Sequence, residues 1–311
     1  MKRALVIMLG SLVLAAAALA ADAVAVLTEL RVKRGQVHVR PSGESAWQPA
    51  TPLQSLRVGD QVRVTGDGRA VILFTGAAQP TTVTQANSPF SVTGAGADTM
   101  SDRARAVVSG VTDFLLGQQR GSKFQSLSVR SVRVQPEILA PRETKIARGP
   151  LTFDWSGSDR ALYRVRLVGP AGIVWEQGDL PRATLAYPAQ APALTPGARY
   201  TWELESQGAP VQRAQFEMMS AAESARVQDA LNLLAPATRG YPSATVALLR
   251  SGLLFKEALY ADARRELLAG IAASPEEPTL HALLAEIYDR TGLRTLAKQE
   301  AEEAERLSKA P

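Results

Sequence analysis

The sequence predicts a multidomain chain of β plus α class, with all-β units in front and an α-helical unit behind. Three observations carry this. Apolar and polar residues alternate over short, turn-bounded runs within residues 26–92 and again within 135–218, the two-residue period of half-buried strands. Composition changes at Met218, after which apolar residues recur at three- and four-residue spacing. Within that last part the pattern repeats every 34 residues. At 311 residues, 46% hydrophobic and 21% charged, the chain is long enough for two or three cores and too apolar for wholesale disorder.

The first element is a leader. Met1-Lys2-Arg3 precede a run that is uncharged from Ala4 to Ala21, with small residues at Ala18 and Ala20. That order predicts a secretory signal over residues 1–20, cut before Ala21; the competing reading is an uncleaved inner-membrane anchor. No second long apolar run follows, so a soluble periplasmic protein without an integral span is expected after cleavage. The chain has no Cys, which excludes disulfides, thiolate nucleophiles, Cys-based zinc sites and iron–sulfur clusters. His38 and His281 are its two histidines, too few for a His-rich metal site. The expectation is no metal, no cofactor and no catalytic residue.

The net charge of +5 is unevenly spread. Basic residues outnumber acidic ones 13 to 7 over residues 24–134, balance at 9 and 9 over 135–218, and trail 11 to 13 over 219–311. A nucleic-acid binder needs a denser basic stripe and more stacking aromatics than 5%, so nucleic acid is not expected as a partner.

The front module, residues 26–92, is built from short strands. Val37 and Val39 fall on one face of a strand whose other face carries Gln36, His38 and Arg40. Leu56 to Val64 repeats the alternation around a Gly59-Asp60 turn, Ala70 to Phe74 reads as a buried strand, and Thr81–Val83 and Phe90–Val92 suggest two more. The residues Gly35-x-Val37-x-Val39, Trp47, Leu56-x-x-Gly59-Asp60-x-Val62 and Arg69-Ala70-x-Ile72-x-Phe74 resemble the FecR periplasmic domain. The resemblance implies an all-β module; the best-known members relay a signal from an outer-membrane receptor to a sigma factor. Those members carry a cytoplasmic segment before a membrane span, whereas only Met1 to Arg3 precede the apolar run here, so an extracytoplasmic FecR-like module is expected rather than a sigma regulator. Trp47 is expected to be a core anchor and Gly59-Asp60 a tight turn.

Residues 101–117 predict an amphipathic linker helix, with Ser101 as N-cap and Val107, Val108, Val111, Phe114 and Leu115 on its apolar side. Residues 117–126 read as a connector. Between 135 and 218, the strand-like runs Leu151–Trp155, Tyr163–Leu167, Gly172–Trp175 and Arg199–Leu204 predict a β-sandwich. Pro196-Gly197-x-x-Tyr200-x-Trp202 resembles the late corner of a fibronectin type III or related immunoglobulin-like domain, which implies a corner tied by the Tyr200 hydroxyl. Trp155, Trp175 and Trp202 are expected in the core; the alternative is a sugar-stacking platform.

Residues 219–308 predict a helical region. A shift of 34 places Leu249 on Leu283, Leu253 on Ile287, Leu254 on Tyr288, Ala258 on Gly292, Ala263 on Ala297 and Gly270 on Ala304. This resembles two tetratricopeptide (TPR) repeats, about 244–277 and 278–308, preceded by a capping helix at 219–235. In that family the first helix of each pair lines the concave face, so Arg250, Lys256, Glu286 and Arg290 are candidate partner-binding residues, joined by His38 and Arg40 on the front module. The acidic residues at 300–305 read as a solvated face, and His281 as a packed side chain. The functional expectation is a non-enzymatic adaptor or scaffold of the bacterial cell envelope that binds protein partners. The alternative is a cell-wall or glycan-binding protein; a hydrolase ranks below both, for want of a nucleophile–base motif.

Overall fold

A computed structural model describes residues 23–32, 34–94, 100–118, 136–181 and 184–309. The predicted leader, most of the connector at 117–126 and much of the stretch at 93–100 lie outside them. Among the described residues the chain is mixed β plus α, with sixteen strands in four sheets and six α-helices.

The front unit comprises β1 (Ala23–Arg31), β2 (Gly35–Arg40), β3 (Gln48–Pro49), β4 (Ser55–Arg57), β5 (Gln61–Gly66), β6 (Arg69–Phe74), β7 (Thr81–Val83) and β8 (Phe90–Ser91). They form two antiparallel sheets, ordered β4-β1-β6-β7 and β3-β2-β5-β8. Leu27, Leu30, Val37, Val39, Val62, Val64 and Ile72 fill the space between them. Asp60 holds the turn after β4: its carboxylate accepts the Ser42 and Arg57 N–H groups, each at 2.8 Å.

Strand β1 is buried on both faces. Its register against β6 slips between Leu27 and Glu29, a bulge at Thr28. Strict alternation would send Glu29 inward with Leu27. The extra residue instead returns Leu30 to the core and turns Thr28 and Glu29 together toward the helices.

The middle unit has β9 (Glu137–Ala140), β10 (Thr144–Ile146), β11 (Thr152–Ser156), β12 (Tyr163–Gly169), β13 (Gly172–Leu180), β14 (Thr184–Ala186), β15 (Arg199–Ser206) and β16 (Gln212–Met218). Two sheets, β10-β16-β15-β12-β13 and β14-β11-β9, enclose Phe153, Trp155, Leu167, Trp202 and Leu204. The Tyr200 hydroxyl accepts the Thr195 N–H at 2.8 Å and ties the corner before β15. Trp155 and Trp202 are buried, whereas Trp175 is half-buried against Phe153 and Tyr187. The balanced charge of this region is visible on its larger sheet, where Arg166 meets Glu176 and Glu203, Arg213 meets Glu203, and Arg199 meets Glu217 across strands.

The helices are α1 (Asp102–Gln118), α2 (Ala221–Ala237), α3 (Ser243–Lys256), α4 (Tyr260–Ala273), α5 (Pro278–Arg290) and α6 (Arg294–Ser308). Ser101 caps α1, its hydroxyl 3.4 Å from the Ala104 N–H, and Ser220 with Glu223 forms a capping box on α2. Helices α3–α4 and α5–α6 are two hairpins whose small residues meet: Ala263 and Ala297 are fully buried, and a Cβ on Gly270 would lie 2.8 Å from that of Ala247. His281 is packed, with Nδ1 2.7 Å from Glu300 Oε2, so Glu300 departs from the solvated face expected of the acidic run.

The hairpin turns are also related by the 34-residue shift. Ala258 and Gly292 both have positive φ, 61° and 78°. Alanine is strained there and glycine is not. Ala258→Gly is therefore expected to stabilise by about 0.5–1 kcal/mol and Gly292→Ala to destabilise by about 1 kcal/mol. Urea midpoints at constant slope read both.

The units share one core. Val26 and Leu73 from the front sheet join Val108, Val111 and Leu115 of α1 and Leu248, Leu249 and Leu283 of the hairpins. The start of the repeats is thus covered twice: Val227 and Leu234 of α2, the helix expected as a cap at 219–235, lie in this core, and the outer face of β1–β6, which the sequence did not indicate, adds to it.

Candidate functional site

The junction is built from helix ends. A helix leaves its first N–H groups without partners, and its own N-cap usually satisfies one. Helix α3 begins after Pro242, which has no side chain for this, and Glu29 of β1 supplies the acceptor instead. Its Oε1 takes the Thr245 N–H at 3.1 Å and the Thr245 hydroxyl at 3.0 Å, while Oε2 accepts from Arg69. Thr28 Oγ1 lies 3.1 Å from Thr245 Oγ1. Helix α5 starts at its own cap, Glu277, whose Oε1 also accepts the Leu30 N–H at 2.9 Å, and Thr279 donates to Thr28 O at 2.8 Å. The middle unit does the same for α4, with Thr144 Oγ1 accepting the Tyr260 N–H at 2.8 Å. Arg142 Nε donates to Thr291 O at the end of α5 at 2.6 Å, and Arg264 of α4 meets Asp154 at 3.2 Å.

Glu277 makes this junction sensitive to pH. Burial lifts its carboxyl to about 7 against the lowering pull of the Leu30 N–H, and the charge on Glu29 adds to the rise. Glu277 Oε2 has no hydrogen-bond partner among the described residues. Between the ordinary value of 4.5 and about 7 the folded chain therefore holds this proton more tightly than the unfolded chain. Its contribution is most favourable below that window, falls as pH rises through it, and is constant above it. Glu277→Gln imitates the protonated acid. Wild type minus variant stability is expected to fall across the window by about 3 kcal/mol at most, read by urea titration at several pH values.

The six residues singled out by sequence fall in different settings. Arg250 is committed within its hairpin, with Nε and Nη2 on the Glu266 carboxylate at 3.1 and 2.9 Å. Lys256 is exposed and reaches Gly110 O of α1 at 3.3 Å. Arg290 is exposed at the end of α5. Arg250 is thus not a free docking side chain, because Glu266 stands one helix away at ion-pair distance.

Glu286 lies in a groove of about 560 Å³ between the loop before β4 and the α5–α6 hairpin. Leu53 and the small residues Ala282, Ala285, Ala301 and Ala304 give it an apolar floor, and Glu305 and Lys309, paired with each other, stand at its edge. Burial, with Asp289 adding to it and Arg290 opposing, lifts the Glu286 carboxyl to about 7. A carboxyl held partly protonated at the side of an apolar groove is placed to receive a cation or a hydrogen-bond donor.

His38 and Arg40 share the outer face of the second front sheet. Beside them stand Arg63, opposite His38 on β5, and Trp47, which the sequence expectation placed in the core. Trp47 is instead partly exposed, and the Arg40 and Arg63 guanidinium carbons lie 4.9 and 4.4 Å from its ring centroid. It precedes an edge strand of two residues, too short to carry the ring between the sheets. Burial first, and the Arg63 charge second, lower the His38 pKa. Arg63 was legible from its alternation with Val62 and Val64; the neighbourhood of Trp47 needed the fold.

A further cleft of about 650 Å³ lies where the middle sandwich meets α2 and α4, lined by Ile146, Leu151, Leu231, Leu254, Asp262 and Arg265. Burial raises the Asp262 pKa against the pull of Arg265. Among the described residues, no group of three or more His, Asp or Glu is placed to hold a metal ion, and no helix is long and apolar enough to cross a membrane. Compared with protein-family models and with curated proteins, the chain matches none.

Proposed function

We propose that this chain is a non-enzymatic adaptor of the bacterial cell envelope. Its leader exports it to the periplasm, and a FecR-like front, a fibronectin type III-like middle and a TPR-like tail act as one scaffold for a partner protein. The observation that carries this reading is the groove at Glu286. Its alanine-rich floor and the half-buried Glu286 carboxyl, with the exposed Glu305–Lys309 pair neutralised at the rim, match a partner segment in which a lysine or arginine is flanked by apolar residues. The buried carboxylates of Glu29 and Glu277 add support, since both are used to join units. An uncleaved leader would leave the groove reading intact and change only the mode of retention.

A photocrosslinking residue at Ala282, in the groove, tests the reading in cells against one at Arg213 on the sandwich surface. Adducts are expected from position 282 and are expected to vanish with Glu286→Lys. Adducts from 213 and none from 282 would place the partner elsewhere. Docking a cation beside Glu286 draws its proton off, so association with the captured partner should weaken as pH falls below about 7.

A further inference from the structure

We infer that the outer face of β2–β5 binds an acidic polysaccharide, with Arg40 and Arg63 taking a uronate carboxylate and Trp47 the face of a sugar ring. This site is separate from the groove at Glu286 and does not rest on it.

The first support is uncompensated charge. On the large sheet of the middle unit, Arg166, Arg199 and Arg213 each face a glutamate across the strands. On β2–β5 two guanidiniums converge on one ring without any such partner. Arg40 donates to the neutral Gln61 amide, and neither arginine meets a carboxylate among the described residues. Like charges on neighbouring strands repel, so the pair costs stability in the empty protein and is relieved by an anion. Of the Arg63 nitrogens only Nε is a covered atom lacking a partner, which leaves the terminal fork for a ligand.

The second support is the ring. A carboxylate alone needs the guanidinium forks and no aromatic surface. A sugar acid presents an anionic group beside a face of C–H bonds, and a partly exposed indole next to two forks matches both. An acidic peptide would need Trp47 only as a support for the two arginines, whereas a sugar acid also uses the exposed part of its ring. The short edge strands β3 and β8 also offer little backbone to a peptide strand.

Calorimetric titration of the purified protein with polygalacturonate at low salt tests this, with polyglutamate as the peptide arm. Arg40→Gln/Arg63→Gln is expected to weaken polygalacturonate binding about tenfold or more. A control pair, Arg103→Gln/Arg239→Gln, removes the same charge from exposed positions and is expected to change binding by less than about twofold. Trp47→Ala should weaken polygalacturonate more than polyglutamate, and Trp47→Phe, which keeps an aromatic face, should recover part of the loss. Matching melting curves establish that each variant is folded. Equal losses in the two arginine pairs would reduce the effect to overall charge and overturn the assignment. Equal binding of polyglutamate, with Trp47→Ala weakening both alike or neither, would overturn it in favour of an acidic protein segment.

Discussion

Glu29→Ala is expected to lower the stability of the protein by about 2–4 kcal/mol, mostly the cost of leaving the buried N–H at the start of α3 without an acceptor, with a smaller part from the half-buried pair with Arg69. Glu29 is 1% exposed, and its loss leaves the Thr245 N–H without an acceptor, the Thr245 hydroxyl with Thr28 alone, and the partly exposed Arg69 without its anion. Glu29→Gln keeps an acceptor for Thr245 but forfeits the charge facing Arg69 and the helix end, so it should fall between wild type and alanine. Urea unfolding followed by circular dichroism reads both. A domain holds only about 5–15 kcal/mol in total, so the alanine variant should lose a large share of it. A loss below about 1 kcal/mol would mean that the front sheet and the helices are hardly coupled.

Trp202→Ala should have an effect of similar size, about 3–5 kcal/mol, for a different reason. Trp202 is fully buried in the middle sandwich, its ring centroid lies 4.9 Å from that of Phe153, and its Nε1 donates to Pro141 O at 2.7 Å. Truncation leaves a cavity and an unpaired carbonyl beside Arg142 and Thr144, which hold the ends of α5 and α4. The damage should therefore reach the helices, with their signal lost at the same denaturant concentration as that of the sheets. Trp202→Phe fills most of the space but lacks the donor, and separates the cavity from the hydrogen bond.

The order of β and α units was legible because periods of two and of 3.6 residues survive in any context where one face is buried. The turns at Gly59-Asp60 and Pro196-Gly197 were legible for the same local reason, and so was the 34-residue shift, down to Ala258 and Gly292. Strand β1 was missed. Its Ala23–Leu27 run follows the apolar leader with only Asp22 between, and its bulge at Thr28 erases the alternation that would have marked it. Missing β1 meant missing the junction, since Glu29 reads as an ordinary surface acid until the register shift turns it toward α3. Trp47 was misplaced because tryptophan is usually buried, and only the fold sets Arg40 and Arg63 beside its ring. Glu286 was identified correctly as a residue of the first helix of its hairpin, yet the groove around it depends on Leu53, more than two hundred residues away.

The central claim is that β1 and the repeat helices form a single body, and one cross-link tests it directly. The Thr28 and Thr245 hydroxyl oxygens are 3.1 Å apart across the junction, and the chain has no other thiol to interfere. In Thr28→Cys/Thr245→Cys the two sulfurs can close to the bonding distance of about 2.0 Å with small side-chain shifts. Oxidation of the folded protein should convert the pair to an intramolecular disulfide, seen as loss of both alkylatable thiols and a raised melting temperature. Two thiols that stay freely alkylatable in the folded, oxidised protein would show that the front sheet and the helices are not joined at this strand.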